Sequence, residues 1–352
     1  MIPVLLLVAG WAMAAGQTTP VWVMQASGTT AGLRGIDSVD GRVAWASGTG
    51  GTVLRTTDGG EHWTKCAATD GATLDFRGVQ AWDAKTAIVM ASGPGEKSRL
   101  YKTVDGCRKW KLIFKNPDKD GFWDAFTIDE PGQIQGLLIL GDPVGGQFVM
   151  WWSDNGENHW KKWPTRPSLA GESIFAASNT SLADESWDGM RFFGTGGPQG
   201  ARLFTECEPC TSKQFEKDGI FVQPMKMFGK GSTSGIFSIA ADFPQAGLRL
   251  VAVGGDYQMP NDPGAAAYSL DRIHWTASAK SPHGYRSAVQ WSGVLKAWVT
   301  VGTNGSDISR DDGKTWQPLD DSNWNALSLP FVVGPNGRIA RLNAAALPAV
   351  QR

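Results

Sequence analysis

The 352-residue sequence predicts an all-β fold: a seven-bladed β-propeller of four-stranded antiparallel blades, closed by the N-terminal strand of the mature chain. Three observations lead there. An octet of the form S/T-x-D-x-G-x-x-W recurs as "TTDGGEHW" (56–63), "TVDGCRKW" (103–110) and "SRDDGKTW" (309–316), with looser copies "SDNGENHW" (153–160) and "SLDRIHW" (269–275). Trp63, Trp110 and Trp160 are 47 and 50 residues apart, and Trp275 and Trp316 are 41 apart, which is the period of a repeated supersecondary unit. With 44 Gly and 17 Trp against 19% charged residues, the composition suits short strands and tight turns rather than helices.

Each repeat reads as four strands separated by turn residues. The innermost strands are "LRGIDSV", "FRGVQAW", "WDAFTI", "SIFAAS", "GIFSIAA", "YRSAVQW" and "WNALSL". Seven second strands, among them "VAWASGTGG", "LLILGDPVGG" and "AWVTVGTNG", run into small residues. A third strand such as "TVLRT" or "RLYKT" leads into the octet, and a fourth such as "HWTKC" follows its Trp. The blades fall at about 32–66, 76–114, 122–164, 171–225, 234–279, 284–320 and 324–343, in one domain over 21–345. The seventh blade lacks an outer strand, and "VWVMQ" (21–25) lacks partners. The second can complete the first and remove a free edge.

Residues 1–16 read as a signal peptide: a short apolar run followed by Ala12, Ala14 and Ala15 at an A-x-A-like site, without a basic start. No later stretch is long enough to span a bilayer as a helix. The mature chain is therefore expected in the periplasm or outside the cell, as a monomer. A net charge of −1 gives no field for nucleic acid. Four cysteines permit two disulfides, and Cys207 and Cys210 in "CEPC" can close a small loop.

In the octets, Asp58, Asp105, Asp271 and Asp311 read as turn staples that accept backbone N–H bonds, with Trp63, Trp110, Trp160, Trp275 and Trp316 packing between blades. His62, His159 and His274 adjoin these tryptophans on the rim, and His283 stands alone. No His cluster suggests a metal, and no glycine-rich strand-to-helix turn suggests a dinucleotide, so neither metal nor cofactor is expected.

Inner strands line the channel of a propeller, so equivalent positions converge. In register these are Arg34, Arg77, Asp124, Glu172 (followed by Ser173), Ser238, Arg286 and Asn325. The three arginines fall on one side and the acids on the other, a bipolar ring able to orient a peptide terminus or another charged ligand. Pairing of those arginines with the acids is the purely structural alternative. Asp142, Asp256, Tyr257 and Asp307 lie in loops toward the same mouth.

The octet is similar to the Asp box, or BNR repeat, of sialidase-type propellers. The arrangement "LRGIDSVDGRVAWASGTGGTVLRTTDGGEHWTKC", with "FRGV…YKTVDG" and "SDISRDDGKTW", resembles the photosystem II stability and assembly factors over most of the mature chain. That resemblance implies an exported, non-catalytic seven-bladed propeller that binds a protein client or envelope complex through an arginine patch, here Arg34, Arg77 and Arg286. Two alternatives stay open. A sialidase-type glycosidase would draw its nucleophile from Tyr257 or Tyr285 and its acids from Glu172 or Asp256, although "FRGV" lacks the proline of the sialidase "FRIP" signature. A glycan-binding propeller would stack sugars on Trp123, Trp151 or Trp324.

Overall fold

The computed structural model describes residues 19–66, 73–128, 136–155, 157–163, 166–185, 189–207, 219–242 and 247–348. The signal-peptide segment and Cys210 lie outside them. Seven antiparallel sheets, one per blade, surround a central channel. Their inner strands are Leu33–Ser38, Phe76–Ala81, Trp123–Ile128, Leu182–Glu185, Gly231–Asp242, Ala288–Ser292 and Ala326–Ser328. Among the described residues, no helix is long and apolar enough to cross a membrane.

The blades stack through their second strands. Ala44–Gly48, Ala87–Ala91, Met190–Gly194 and Ala297–Gly302 are buried at every position. Each such strand has a neighbouring blade on both faces, so its sequence is a continuous apolar or small run instead of an alternation. Trp45 of blade one, for example, shares a core with Phe76, Val89 and Tyr101 of blade two. The small residues ending these strands have a steric cause. A Cβ on Gly302 would collide with the carbonyl oxygen of Tyr285 on the adjoining inner segment, and one on Gly48 with that of Gly32.

The octets are turns that hold strands. Asp58 Oδ1 accepts the N–H of His62 at 3.0 Å, and Thr56 Oγ1 accepts that of Gly60 at 2.9 Å. The hydrogen bonds from His62 hold the Asp58 carboxyl well below the usual carboxylate range, and the Lys109 N–H lowers that of Asp105. Asp271 accepts from His274 at 2.7 Å and Asp311 from Thr315 at 2.9 Å. The tryptophans pack onto the preceding blade: Trp63 edge-on to Phe331 at 5.7 Å, Trp110 to Trp45 at 6.4 Å, and Trp160 stacked on Phe114 at 4.2 Å. Trp275 packs on the core that contains Met190, Phe192 and Leu250, and Trp316 lies fully buried beside Trp298 and Val251. Asp58, Glu61 and His62 come together on the rim, Glu61 and His62 exposed and Asp58 half-buried and bonded within the turn.

Cys107 occupies the turn position that Gly60 and Gly313 fill elsewhere, with φ of 64°. Its sulfur is bonded to Cys66 at the outer end of blade one, a link across 41 residues that the spacing did not reveal. Cys207 is also disulfide-bonded.

Ring closure is as expected. Trp22–Gln25 pairs antiparallel with Ile339–Leu342 and forms the outer strand of blade seven. The Trp22 indole N–H donates to Ser306 Oγ of blade six at 2.9 Å, and the ring lies edge-on to Trp324 at 6.2 Å.

Blade four departs from the expectation. "SIFAAS" is not its inner strand; only Ser173 makes an isolated bridge, to Gly196, and the paired strand begins at Leu182. Residues 174–180 instead cross the channel. Asn179 binds both backbone groups of Phe126 in blade three, at 2.9 and 3.0 Å. Ser178 donates to the Ser287 carbonyl at the start of blade six, and Thr180 to Ser238 of blade five, each at 2.7 Å.

Candidate functional site

This plug divides the channel into two cavities. Its first half and the starts of the inner strands enclose about 440 Å³ on the face carrying the loops of Asp142 and Tyr257. Its second half borders a smaller cavity of about 230 Å³ near Asp37, Gln80 and Gln290 at the other end.

The larger cavity has three walls. On one, Asp75 sits between Arg34 at 3.6 Å and Arg77 at 2.9 Å. Arg77 also donates to the Ala176 carbonyl of the plug at 3.0 Å, which fixes its fork. Burial lowers the Arg34 pKa, against the opposing pull of Asp75. The second wall is acidic. Asp142 Oδ1 accepts the Ile174 N–H at 2.9 Å, and Asp124 lies beside it, buried. Burial pushes the Asp142 carboxyl up to about 6. Burial and then the Asp142 charge push Asp124 well above the ordinary range.

The third wall is aromatic. Phe175 of the plug stacks on Phe237 at 4.0 Å, Tyr285 meets Phe237 edge-on at 4.7 Å, and Tyr257 stands over both phenylalanines at 6.4 and 6.2 Å. Two walls of opposite charge and an aromatic one can hold a carboxylate and a flat or aliphatic group together.

The structure places the expected residues unevenly. Arg34, Arg77, Asp124, Asn325, Tyr257 and Tyr285 line this cavity. Arg286 does not reach it. Its guanidinium is fully buried against Asp307, Asn304 and the Tyr285 carbonyl, so the three-arginine patch is a pair. Glu172 is also elsewhere, bonded to Arg202 and Thr195 and to the N–H of Leu169. Asn325 spends its amide on the Leu33 carbonyl. Asp256 is tied to Ser234 and to the N–H of Gln258.

Of the glycosidase candidates, Glu172 is committed to Arg202, Thr195 and Leu169, and burial drives the Tyr285 hydroxyl far above its usual pKa, which leaves Tyr257 and Asp256. As sugar platforms, Trp123 and Trp324 fail because both are fully buried, and Trp151 packs against Phe114 and under Lys162. Sequence reasoning missed Asp75, Phe175 and Phe237. Phe237 adjoins Ser238, a position already placed at the channel, Phe175 stands two residues after Ser173, and Asp75 two before Arg77.

No protein-family model matches the chain, and no curated protein matches it. Solved structures do. YCF48 from Cyanidioschyzon merolae superposes with a TM-score of 0.63 at 17% identity, over 92% of this chain and 99% of that one. In fold, the chain resembles YCF48. A structure of YCF48 bound to D1 peptide gives 0.59 at 14% identity, over 92% and 95%. An ancestral GH74 enzyme gives 0.54 at 12% identity, over 89% of this chain and 41% of that one.

Proposed function

We propose that this propeller is a non-catalytic binding protein whose larger cavity holds a segment of a protein client. The carrying observation is the Arg34–Arg77 pair on the wall of a 440 Å³ cavity whose far side is aromatic. The pair suits an acidic side chain or chain terminus, since two guanidiniums share only the one carboxylate of Asp75. YCF48, a propeller of the same fold, has been solved bound to D1 peptide, which is consistent with a peptide-binding role. Export to the periplasm or beyond belongs to the same reading, and the Cys66–Cys107 bond supports an oxidising compartment.

The test is affinity capture with crosslinking from solubilised envelope of the source cells. Wild type is compared with a doubly substituted Arg34→Ala, Arg77→Ala protein, with circular dichroism establishing that both fold. A protein enriched by wild type and lost by the variant is the expected result. Equal capture by both proteins, or none by either, removes the proposal.

A further inference from the structure

On the acidic wall, Asp142 ties the plug through the Ile174 N–H, but Asp124 has no task if the client offers only an acidic group to Arg34 and Arg77. Asp124 is 1% exposed, and its Oδ2 has no hydrogen-bond partner although the residue borders the cavity. A buried, unpartnered carboxylate oxygen costs on the order of several kcal/mol unless something neutralises or bonds it. Asp142, whose charge acts on Asp124, adds a second carboxyl at the same wall. The cation that does act on Asp124 is Arg77, whose Nε and Nη1 donate to Asp75 and to the Ala176 carbonyl rather than to Asp124.

A cation with N–H donors would complete this wall. It would bond the free Asp124 oxygen, cancel the repulsion between the two acids, and rest its stem or its charge on Phe175, Phe237 and Tyr257. A monatomic cation would use the acids but has no apolar stem to pack on the rings and no N–H to donate to the free oxygen. We propose that Asp124 and Asp142 form a subsite for a primary ammonium or guanidinium side chain of the bound segment. The client's anchoring motif then pairs a basic residue with the acidic group held by Arg34 and Arg77. This rests on the client-binding reading and adds a second charge to it.

The probe is a random peptide-display library panned on three proteins: wild type, Asp124→Asn with Asp142→Asn, and Arg34→Ala with Arg77→Ala. Wild type is expected to enrich peptides carrying both a Lys or Arg and an acidic group. The asparagine variant is expected to lose the basic preference and keep the acidic one, and the alanine variant the reverse. In a selected peptide, replacing the Lys by norleucine should weaken binding to wild type about tenfold and leave binding to the asparagine variant unchanged.

Enrichment of acidic residues without basic ones overturns the cation subsite and leaves the arginine anchor standing. Enrichment of neither overturns both. A Lys preference that survives in the asparagine variant also overturns the subsite. Asparagine is isosteric with aspartate, so thermal unfolding of that variant should match or exceed wild type. Should it fail to fold, the wild-type panning and the norleucine substitution still decide the matter.

Discussion

At Asp37 and Asp142, the folded protein holds a proton that the unfolded chain would release. Burial raises both carboxyls to about 6. For such groups stability is complete below the unfolded value of about 4 and is lost as pH rises through the folded value. The denaturation midpoint in urea is expected to fall between about pH 4 and pH 7. Asp37→Asn, which can still accept the Ala81 N–H now bonded at 2.7 Å, should flatten part of that slope. A profile of unchanged steepness in this variant would contradict the assignment. At this scale the sequence was informative about position and silent about partners. Register put Arg286 at the head of an inner strand as surely as Arg34. It could not show that Asp307, from the next strands of the same blade, would reach back and bury it.

Elements were legible where pattern and pairing coincide, and blade four marks where they part. "SIFAAS" alternates like an inner strand because it is enclosed by the ring on all sides, and burial alone produces that pattern without a ladder. Asn179 is the pin of this plug. It has φ of 67° and occupies both backbone groups of Phe126. Asn179→Ala should cost about 2–4 kcal/mol, since two buried backbone groups lose their partner, and chemical denaturation measures it. Because the plug also fixes Arg77 through Ala176, the same variant should weaken client capture. Intact capture would mean that the arginine pair is positioned without it. The disulfide between blades one and two was likewise unreadable, since four cysteines admit three connectivities. Cys66→Ala with Cys107→Ala removes a crosslink over 41 residues. The loss should be about 4 kcal/mol by loop-closure entropy, read from the same denaturation curves. An unchanged curve would show that the bond is dispensable.

For the whole molecule, the repeat period and the unmatched strand at 21–25 were enough to anticipate a closed ring, since a propeller with one open blade leaves a bare edge. Deleting residues through Gln25 should broaden thermal unfolding and lower its midpoint, with the largest gain in amide hydrogen exchange on Ile339–Leu342, the strand that loses its partner. Uniform exchange across all seven blades would show that the ring is held shut by other contacts. The clasp also sets an order of events. Trp22–Gln25 is synthesised before the six blades that lie between it and its partner strand Ile339–Leu342. Until that strand emerges the ribbon must wait unpaired, carrying the exposed Val23 and Met24, while six blades can already form beside it. The ring is thus finished by a strand made before any of its blades, and any factor that shelters nascent chains has one segment here to shelter until the last blade forms.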